Sequence, residues 1–199
     1  MKKIIITSLA ILFLVCACKE NSSTPSGSSN EIIPLKIGNI WNFKISEYDS
    51  KGNIINTSEM TYYVFKDSVI EGIKAYCMKF TTPFSEEISE YTYNKPDGYY
   101  TTYTIEGKVY HDWMYKYPGS AGDLFQSGEY TIKILSISES VSTPAGTFKC
   151  YKYHNIVELP SFVFLCPDVG PVKMEHYDYD NNGKLFLDAR MELVSYTLK

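Results

Sequence analysis

Apolar and polar residues alternate one by one along most of this chain. Around Trp41, the residues Trp41, Phe43 and Ile45 alternate with Asn42, Lys44 and Ser46. Near the C-terminus Leu185, Leu187, Ala189, Met191 and Leu193 alternate with Phe186, Asp188, Arg190, Glu192 and Val194. Successive side chains of a strand point to opposite faces, so a period of two predicts strands with one buried face. Met60, Tyr62 and Val64 keep the same period, as do Tyr76, Met78 and Phe80, and Val109, His111, Trp113 and Tyr115. Tyr130, Ile132 and Ile134 follow it too, and so do Val172, Met174 and His176. No stripe at helical spacing competes with this pattern.

Turn chemistry separates the runs. Asp49-Ser50-Lys51-Gly52 and Asp180-Asn181-Asn182-Gly183 place Asp first and Gly fourth, which suits a type I turn closed by a left-handed glycine. Lys95-Pro96-Asp97-Gly98 and Thr143-Pro144-Ala145-Gly146 repeat the arrangement with proline second, and Glu71-Gly72 and Glu106-Gly107 suit two-residue hairpins. The predicted fold class is all-β, an antiparallel meander of about ten or eleven strands. Such a meander must hide its edges, either by curving into a barrel-like sheet or by folding into a two-sheet sandwich. Eighteen tyrosines, ten phenylalanines and two tryptophans fit β-structure, which favours aromatic side chains.

The first residues break the pattern. Lys2 and Lys3 precede an apolar run from Ile4 to Cys16, interrupted only by Thr7 and Ser8. It falls short of the roughly 20 apolar residues that a membrane span needs and suits a signal peptide over residues 1–17. Val15-Cys16-Ala17-Cys18 resembles the lipobox of bacterial lipoproteins, with Val15 where leucine is commonest. The resemblance implies cleavage between Ala17 and Cys18, diacylglycerol on the Cys18 sulfur and acylation of the new amino group. An ordinary signal peptidase would accept the same bond and leave Cys18 free.

Residues 18–33 are expected to be the lipid attachment site and a flexible linker, because NSSTPSGSSN at 21–30 has too little apolar surface to bury. Residues 34–199 are expected to be a single β domain, large enough to bury its own core. Two or more acyl chains give a stable anchor. Lys19 is not the aspartate of the best-known inner-membrane retention rule, so the expected location is the outer membrane, on either its periplasmic or its surface face.

Removal of Lys2 and Lys3 leaves 17 basic residues against 23 acidic ones, a net charge of −6 with histidines neutral. No basic stripe is present, which argues against nucleic acid as a partner. Cys77, Cys150 and Cys166 remain after Cys16 and Cys18 are set aside. Cys150 and Cys166 lie on successive predicted strands whose turn falls near Glu158 to Pro160, so they can face one another as a disulfide or remain buried thiols.

Candidate chemistry is sparse. Asp178-Tyr179-Asp180-Asn181-Asn182-Gly183 matches the opening of an EF-hand calcium loop, but Ala189 stands at the twelfth position where a bidentate glutamate is needed. A hairpin turn is the expectation. His111, His154 and His176 fall on three predicted strands without metal or catalytic spacing, and Glu86, Glu87 and Glu90 read as a solvated strand edge. There is no G-x-S-x-G elbow, no H-E-x-x-H and no P-loop. Asp67-Ser68-Val69 resembles the short O-glycosylation sequon of some envelope lipoproteins.

Leu35 to Trp41 (LKIGNIW), Thr143 to Cys150 (TPAGTFKC) and Asp168 to Lys173 (DVGPVK) resemble stretches of uncharacterised all-β envelope lipoproteins. The resemblance implies a fold and brings no activity. The expected function is therefore a membrane-tethered interaction or structural module that uses Tyr100, Tyr151 and Tyr177 for contacts with an envelope protein. The alternative is a carrier holding an apolar ligand such as a lipid in the curved sheet. An envelope hydrolase would require His111, His176, Asp178 and Asp180 to converge, and ranks below both. No enzyme activity, cofactor or metal is expected.

Overall fold

A computed structural model of the chain describes residues 31–82, 85–157 and 159–199, the side chains of 82 and 85–89 excepted. Among these residues there are twelve strands and no helix. They are β1 (Ile40–Tyr48), β2 (Ile54–Ile70), β3 (Ile73–Thr82), β4 (Ser85–Lys95), β5 (Gly98–Ile105) and β6 (Lys108–Lys116). Next come β7 (Leu124–Ser127), β8 (Tyr130–Thr143), β9 (Gly146–Ile156), β10 (Ser161–Cys166), β11 (Gly170–Tyr179) and β12 (Leu185–Thr197). The alternating runs named from the sequence fall on β1, β2, β3, β6, β8, β11 and β12, and the four residues of β7 are too few to display a period.

All pairings are antiparallel, in the order β6-β5-β4-β3-β2-β1-β12-β11-β10-β9-β8-β7. Each strand pairs with the next in sequence except at β6 and β7, and β1 pairs instead with β12. The sheet curls into a nearly closed barrel rather than a sandwich, with its seam between β6 and β7. Aromatic contacts close that seam where ladder hydrogen bonds do not. The ring centroids of Trp113 on β6 and Phe125 on β7 are 5.2 Å apart, and those of Tyr115 on β6 and Tyr153 on β9 are 5.0 Å apart.

Turn residues fix the register. Glu71 and Gly72 have φ of 48° and 81°, and Glu106 and Gly107 have 50° and 79°. Both residues of each pair are left-handed, as in a type I′ turn whose twist matches its strands. In the β1–β2 and β11–β12 turns the carboxylates of Asp49 and Asp180 each accept two backbone N–H bonds, from Lys51 and Asn53 and from Asn182 and Lys184. The calcium-like string is thus a hairpin turn.

The resulting register puts the apolar set inside. Phe43 stands between Met60 of β2 and Leu193 of β12, and Trp41, Phe43, Tyr153, Leu165 and Leu193 are all buried. On the outer face opposite charges stand opposite one another across four strands, Glu59 to Lys44 to Glu192 to Lys173. An apolar interior with a charged exterior is the reverse of a membrane-spanning barrel, whose lipid-facing band is apolar.

One end of the barrel is closed by the segment leading into β1. Ile32, Ile33 and Leu35 are buried in the core. Asp168 N–H in the β10–β11 turn donates to the Glu31 carbonyl at 3.1 Å, and Asn94 Nδ2 at the end of β4 donates to the Ile33 carbonyl at 2.9 Å. The segment therefore lies across the barrel mouth. This moves the boundary drawn from composition, because Ile32 and Ile33 belong to the packed domain rather than to the linker. A polar run hides two apolar residues at its end until their burial is seen.

Trp41 locks the same end. Its indole Nε1 donates to the Val169 carbonyl at 2.6 Å, a buried bond between residues 128 apart in sequence. A Cβ on Gly170, whose φ is +98°, would come within 3.3 Å of that nitrogen. Trp41→Phe keeps most of the ring but leaves the Val169 carbonyl buried without a donor. We expect a loss of about 1–3 kcal/mol in urea unfolding, with an unchanged m-value because the surface exposed on unfolding is the same.

Candidate functional site

Among the described residues three places leave room for another molecule, one of them an open groove of about 590 Å³ over β4 to β6 lined by Glu90, Tyr91, Thr102, Tyr103 and Val109. Another is inside the barrel, a cavity of about 120 Å³. Met78 of β3, Met114 of β6, Met174 of β11 and Met191 of β12 bound it together with Tyr62, Tyr99 and Tyr115, and Ile33 of the N-terminal segment reaches it from the closed end. Tyr99 Oη donates to Met78 Sδ at 3.3 Å. Thioethers on flexible stems fill irregular gaps, so this wall is adaptable. It is also small. An engineered cavity of about 150 Å³ holds a benzene molecule, whereas pockets for drug-sized ligands run from about 300 Å³ upward. The interior accommodates a small apolar group and not an acyl chain.

Glu90 is the acidic residue on this wall, placed on β4 opposite Met78. Burial raises its carboxyl pKa, opposed by a hydrogen bond from Thr101. Glu90 is thus an inward-facing carboxylate, not part of a solvated strand edge; the side chains of Glu86 and Glu87 lie outside the described ones. Burial also pushes the Tyr62 phenol up to about 12, with the Glu90 charge adding to it, and raises Tyr99 and Tyr115. The tyrosines of the cavity are neutral hydrogen-bonding groups at physiological pH.

The third place is on the outside, along the seam. A groove of about 330 Å³ runs between Tyr103 of β5, Asp112 and Met114 of β6, and the β7–β8 turn with Ser127, Glu129 and Tyr130. Gly128 has φ +56°, and a Cβ there would lie 3.2 Å from Asp112 Oδ2. Glycine lets this turn approach β6 so closely. Its two aromatic side chains are open to solvent: Tyr103 is 40% exposed and Tyr130 58%. Tyr103 and Tyr110 stack with centroids 5.4 Å apart, and Lys108 Nζ lies 5.1 Å from the Tyr110 ring centre.

These are not the tyrosines that the sequence nominates. Tyr151 is buried with its hydroxyl donating to the Gly119 carbonyl at 3.4 Å. Tyr100 stacks between Tyr93 and Trp113 and donates to Asp97 at 3.0 Å. Tyr177 packs edge-on against Phe162 at 5.7 Å. Alternation identifies which residues share a face but not whether another aromatic covers that face. Among the described residues the exposed tyrosines are Tyr103, Tyr110, Tyr130 and Tyr179; the first three flank the Glu106-Gly107 and Gly128-Glu129 turns and Tyr179 precedes the Asp180 turn, so nearness to a tight turn is the signal that would have found them.

The histidines do not converge. His111 on β6 shares a hydrogen bond of 3.0 Å between its Nδ1 and Tyr93 Oη, and its Nε2 meets Glu71 Oε2 at 3.2 Å. This Tyr–His–Glu chain joins the tip of the β2–β3 hairpin to β6. Burial and the Asp97 charge raise the Tyr93 pKa, so the phenol is not activated as a nucleophile. His154 on β9 stacks on Phe162 at 4.8 Å, and burial with the nearby Lys133 and Lys152 charges lowers its pKa. His176 lies on β11 opposite Ala189 and Ser161. Among the described residues no three His, Cys, Asp or Glu side chains form a group that could hold a metal. Ser68 of the Asp67-Ser68-Val69 string is half-buried on β2, beside an Asp67–Lys74 ion pair of 3.1 Å.

Cys150 on β9 and Cys166 at the end of β10 are free thiols and neighbours, while Cys77 is buried apart on β3. Cys18, the signal peptide and residues 21–30 lie outside the described residues.

No protein-family model and no curated protein matches this chain. Its fold is similar to that of a predicted lipoprotein from Parabacteroides distasonis, with 19% identity, 84% of this chain and 98% of that chain covered, and a TM-score of 0.53. It is similar also to a predicted exported protein with a YmcC-like fold from Bacteroides fragilis, at 14% identity, 83% and 98% coverage and a TM-score of 0.51. At these identities the likeness establishes a shared fold.

The buried carboxyl gives a test of the cavity. An acid whose pKa is raised on folding destabilises the native state once it ionises, so this cost is absent below the ordinary glutamate value and complete above the raised one. Glu90→Gln is therefore expected to raise the urea midpoint at neutral pH and to leave it unchanged in acid below the ordinary glutamate value. A midpoint difference independent of pH would show that Glu90 is ionised without penalty.

Proposed function

We propose that this chain is a membrane-tethered envelope lipoprotein whose barrel serves as an interaction module, binding an envelope protein through the open seam between β6 and β7. The observation that carries this reading is the contrast between inside and outside. Inside the barrel the space bounded by the methionines is about 120 Å³, whereas the seam offers a groove of about 330 Å³ lined in part by the exposed rings of Tyr103 and Tyr130. Tyrosine at such a position supplies a large rigid contact at low entropic cost. The seam also carries the free edges of β6 and β7, and backbone groups on a free edge can pair with a partner strand.

Tethering and export rest on the signal-peptide pattern and on Cys18, and the shared fold with a predicted lipoprotein and a predicted exported protein is consistent with them. The outer membrane is the favoured location because Lys19 follows the cysteine. A charged outer surface supports attachment through the lipid and not through the barrel wall.

The two parts of the proposal are tested separately. Cys18→Ala in the full chain is expected to shift the protein from the membrane to the soluble fraction after cell breakage. Retention of the variant in washed membranes would overturn the lipid tether. A photo-cross-linking residue at Tyr130 is expected to give a discrete heavier adduct in cells, while the same residue at exposed Ile55, on the β1–β2 hairpin, gives none. Equal labelling at both positions, or none at either, would overturn the seam as the contact surface.

A carrier role for a small apolar molecule is the second reading, favoured by the four methionines around the cavity. It predicts that native mass spectrometry of protein purified from envelope membranes retains a bound small molecule. Only the unliganded mass would remove it.

A further inference from the structure

The pair Cys150 and Cys166 carries chemistry that the interaction surface does not use. Strands β9 and β10 pair with Ser161 opposite Asn155, Val163 opposite Tyr153 and Leu165 opposite Tyr151. One residue further, the same register sets Cys166 opposite Cys150. Directly opposed residues in an antiparallel pair have Cα atoms about 4.5 or 5.5 Å apart, depending on their place in the ladder. Both spacings lie within the range of about 4.4–6.8 Å that a disulfide spans. Opposed residues also share a face, so the two Cβ atoms point the same way.

The two side chains lie side by side, each the first influence on the other's ionisation. Cys166 Sγ in turn lies 3.6 Å from the Pro167 carbonyl. Cys150 is fully buried, whereas Cys166 is only partly so. The environment distinguishes them further. Cys150 is held protonated by the neighbouring Cys166 and by burial, while Cys166 is drawn down by Cys150 and by the Lys149 backbone N–H, against burial and the Asp168 charge.

We propose that Cys150 and Cys166 are a dithiol that becomes a cross-strand disulfide when the protein meets a disulfide oxidant, Cys166 reacting first and Cys150 resolving. The oxidant is any accessible disulfide R–S–S–R, whether a small molecule or a protein. The Cys166 thiolate attacks one of its sulfurs, the S–S bond breaks, and the departing R–S⁻ takes up the proton that Cys166 gave up. Cys150 then loses its proton, its sulfur attacks the Cys166 sulfur of the mixed disulfide, and the second R–S⁻ leaves and is protonated. Two thiols have been oxidised by two electrons and one disulfide reduced to two thiols. That an oxidising compartment supplies R–S–S–R rests on the export proposed above.

The bond would have a place to act. Cys166 immediately precedes the β10–β11 turn, whose Asp168 N–H holds the Glu31 carbonyl and whose Val169 carbonyl accepts from Trp41. Oxidation would tie this turn to the buried strand β9. Cys77 stays outside the pair, on β3 in the other half of the sheet.

The test uses the full chain, reduced and then exposed to oxidised glutathione, with thiols alkylated under denaturing conditions before intact-mass and peptide analysis. A Cys150–Cys166 cross-linked peptide, an intact mass lower by two hydrogens and reversal by dithiothreitol are expected. Cys150→Ser should accumulate a glutathione adduct on Cys166, whereas Cys166→Ser should remain unmodified at Cys150. Alkylation of both cysteines after glutathione treatment of the folded wild-type protein would overturn the pair, and this result does not depend on how the variants fold. An adduct on Cys150 in the folded Cys166→Ser variant would overturn the assigned order. A cross-link in glutathione together with free thiols in protein taken directly from the envelope would sustain the pair and overturn export to an oxidising compartment.

Discussion

The pairing of the first strand with the last is the constraint on which this molecule depends. A twelve-strand meander left open would end on β1 and β12, and each would expose a row of unpaired backbone groups. Here those two strands pair over Ile40 to Glu47, so the free edges are transferred to β6 and β7 in the middle of the sequence. Side chains follow from that choice. Phe43 is packed between Met60 and Leu193 only because β2 and β12 both flank β1, and Trp41 reaches the Val169 carbonyl only because β11 lies next beyond β12.

Closure at the termini leaves a seam that is closed differently along its length. Trp113 and Tyr115 span it with Phe125 and Tyr153. Aromatic rings can bridge a gap that ladder hydrogen bonds cannot, since their contact tolerates several offset and edge-on geometries. Beyond those rings β7 has ended and β6 continues, and there the groove lined by Tyr103, Asp112 and Tyr130 begins. The most adaptable surface of the barrel and its least paired backbone thus coincide.

Much of this fold is legible in the sequence because a period of two is local. The alternation around Trp41 and the Asp-x-x-Gly turns at 49–52 and 180–183 specify strand, face and register within a few residues of each other. The expected ten or eleven strands fall one or two short of the twelve, and β7, with four residues, contains no repeat. Tertiary facts are less visible. Tyr100 and Tyr151 have the composition of contact residues, yet other rings cover them, Tyr93 and Trp113 from the neighbouring strands in one case and Tyr117 and Tyr153 in the other. Glu90 sits in a run of glutamates that reads as solvent-facing, and only the Met78–Glu90 register turns it inward. The Cys150–Cys166 juxtaposition was accessible from sequence, because both residues lie near one turn and their separation follows from counting along a hairpin.

The closed end has a mechanical consequence for any protein anchored at its N-terminus. Ile32 and Ile33 are packed in the core, and the carbonyls of Glu31 and Ile33 are held by the β10–β11 turn and by Asn94 of β4. A pull transmitted from the membrane side therefore acts first on this strap and not on the sheet ladders. The strap is held by few hydrogen bonds and by apolar burial, while each ladder behind it is held by many hydrogen bonds at once, so the strap is the element expected to yield first. Its yielding would uncover Ile33 and with it the methionine wall of the cavity. In a chain anchored ahead of Glu31, attachment and access to the interior would be coupled through residues 31–35, a link that neither the linker composition nor the strand pattern discloses on its own.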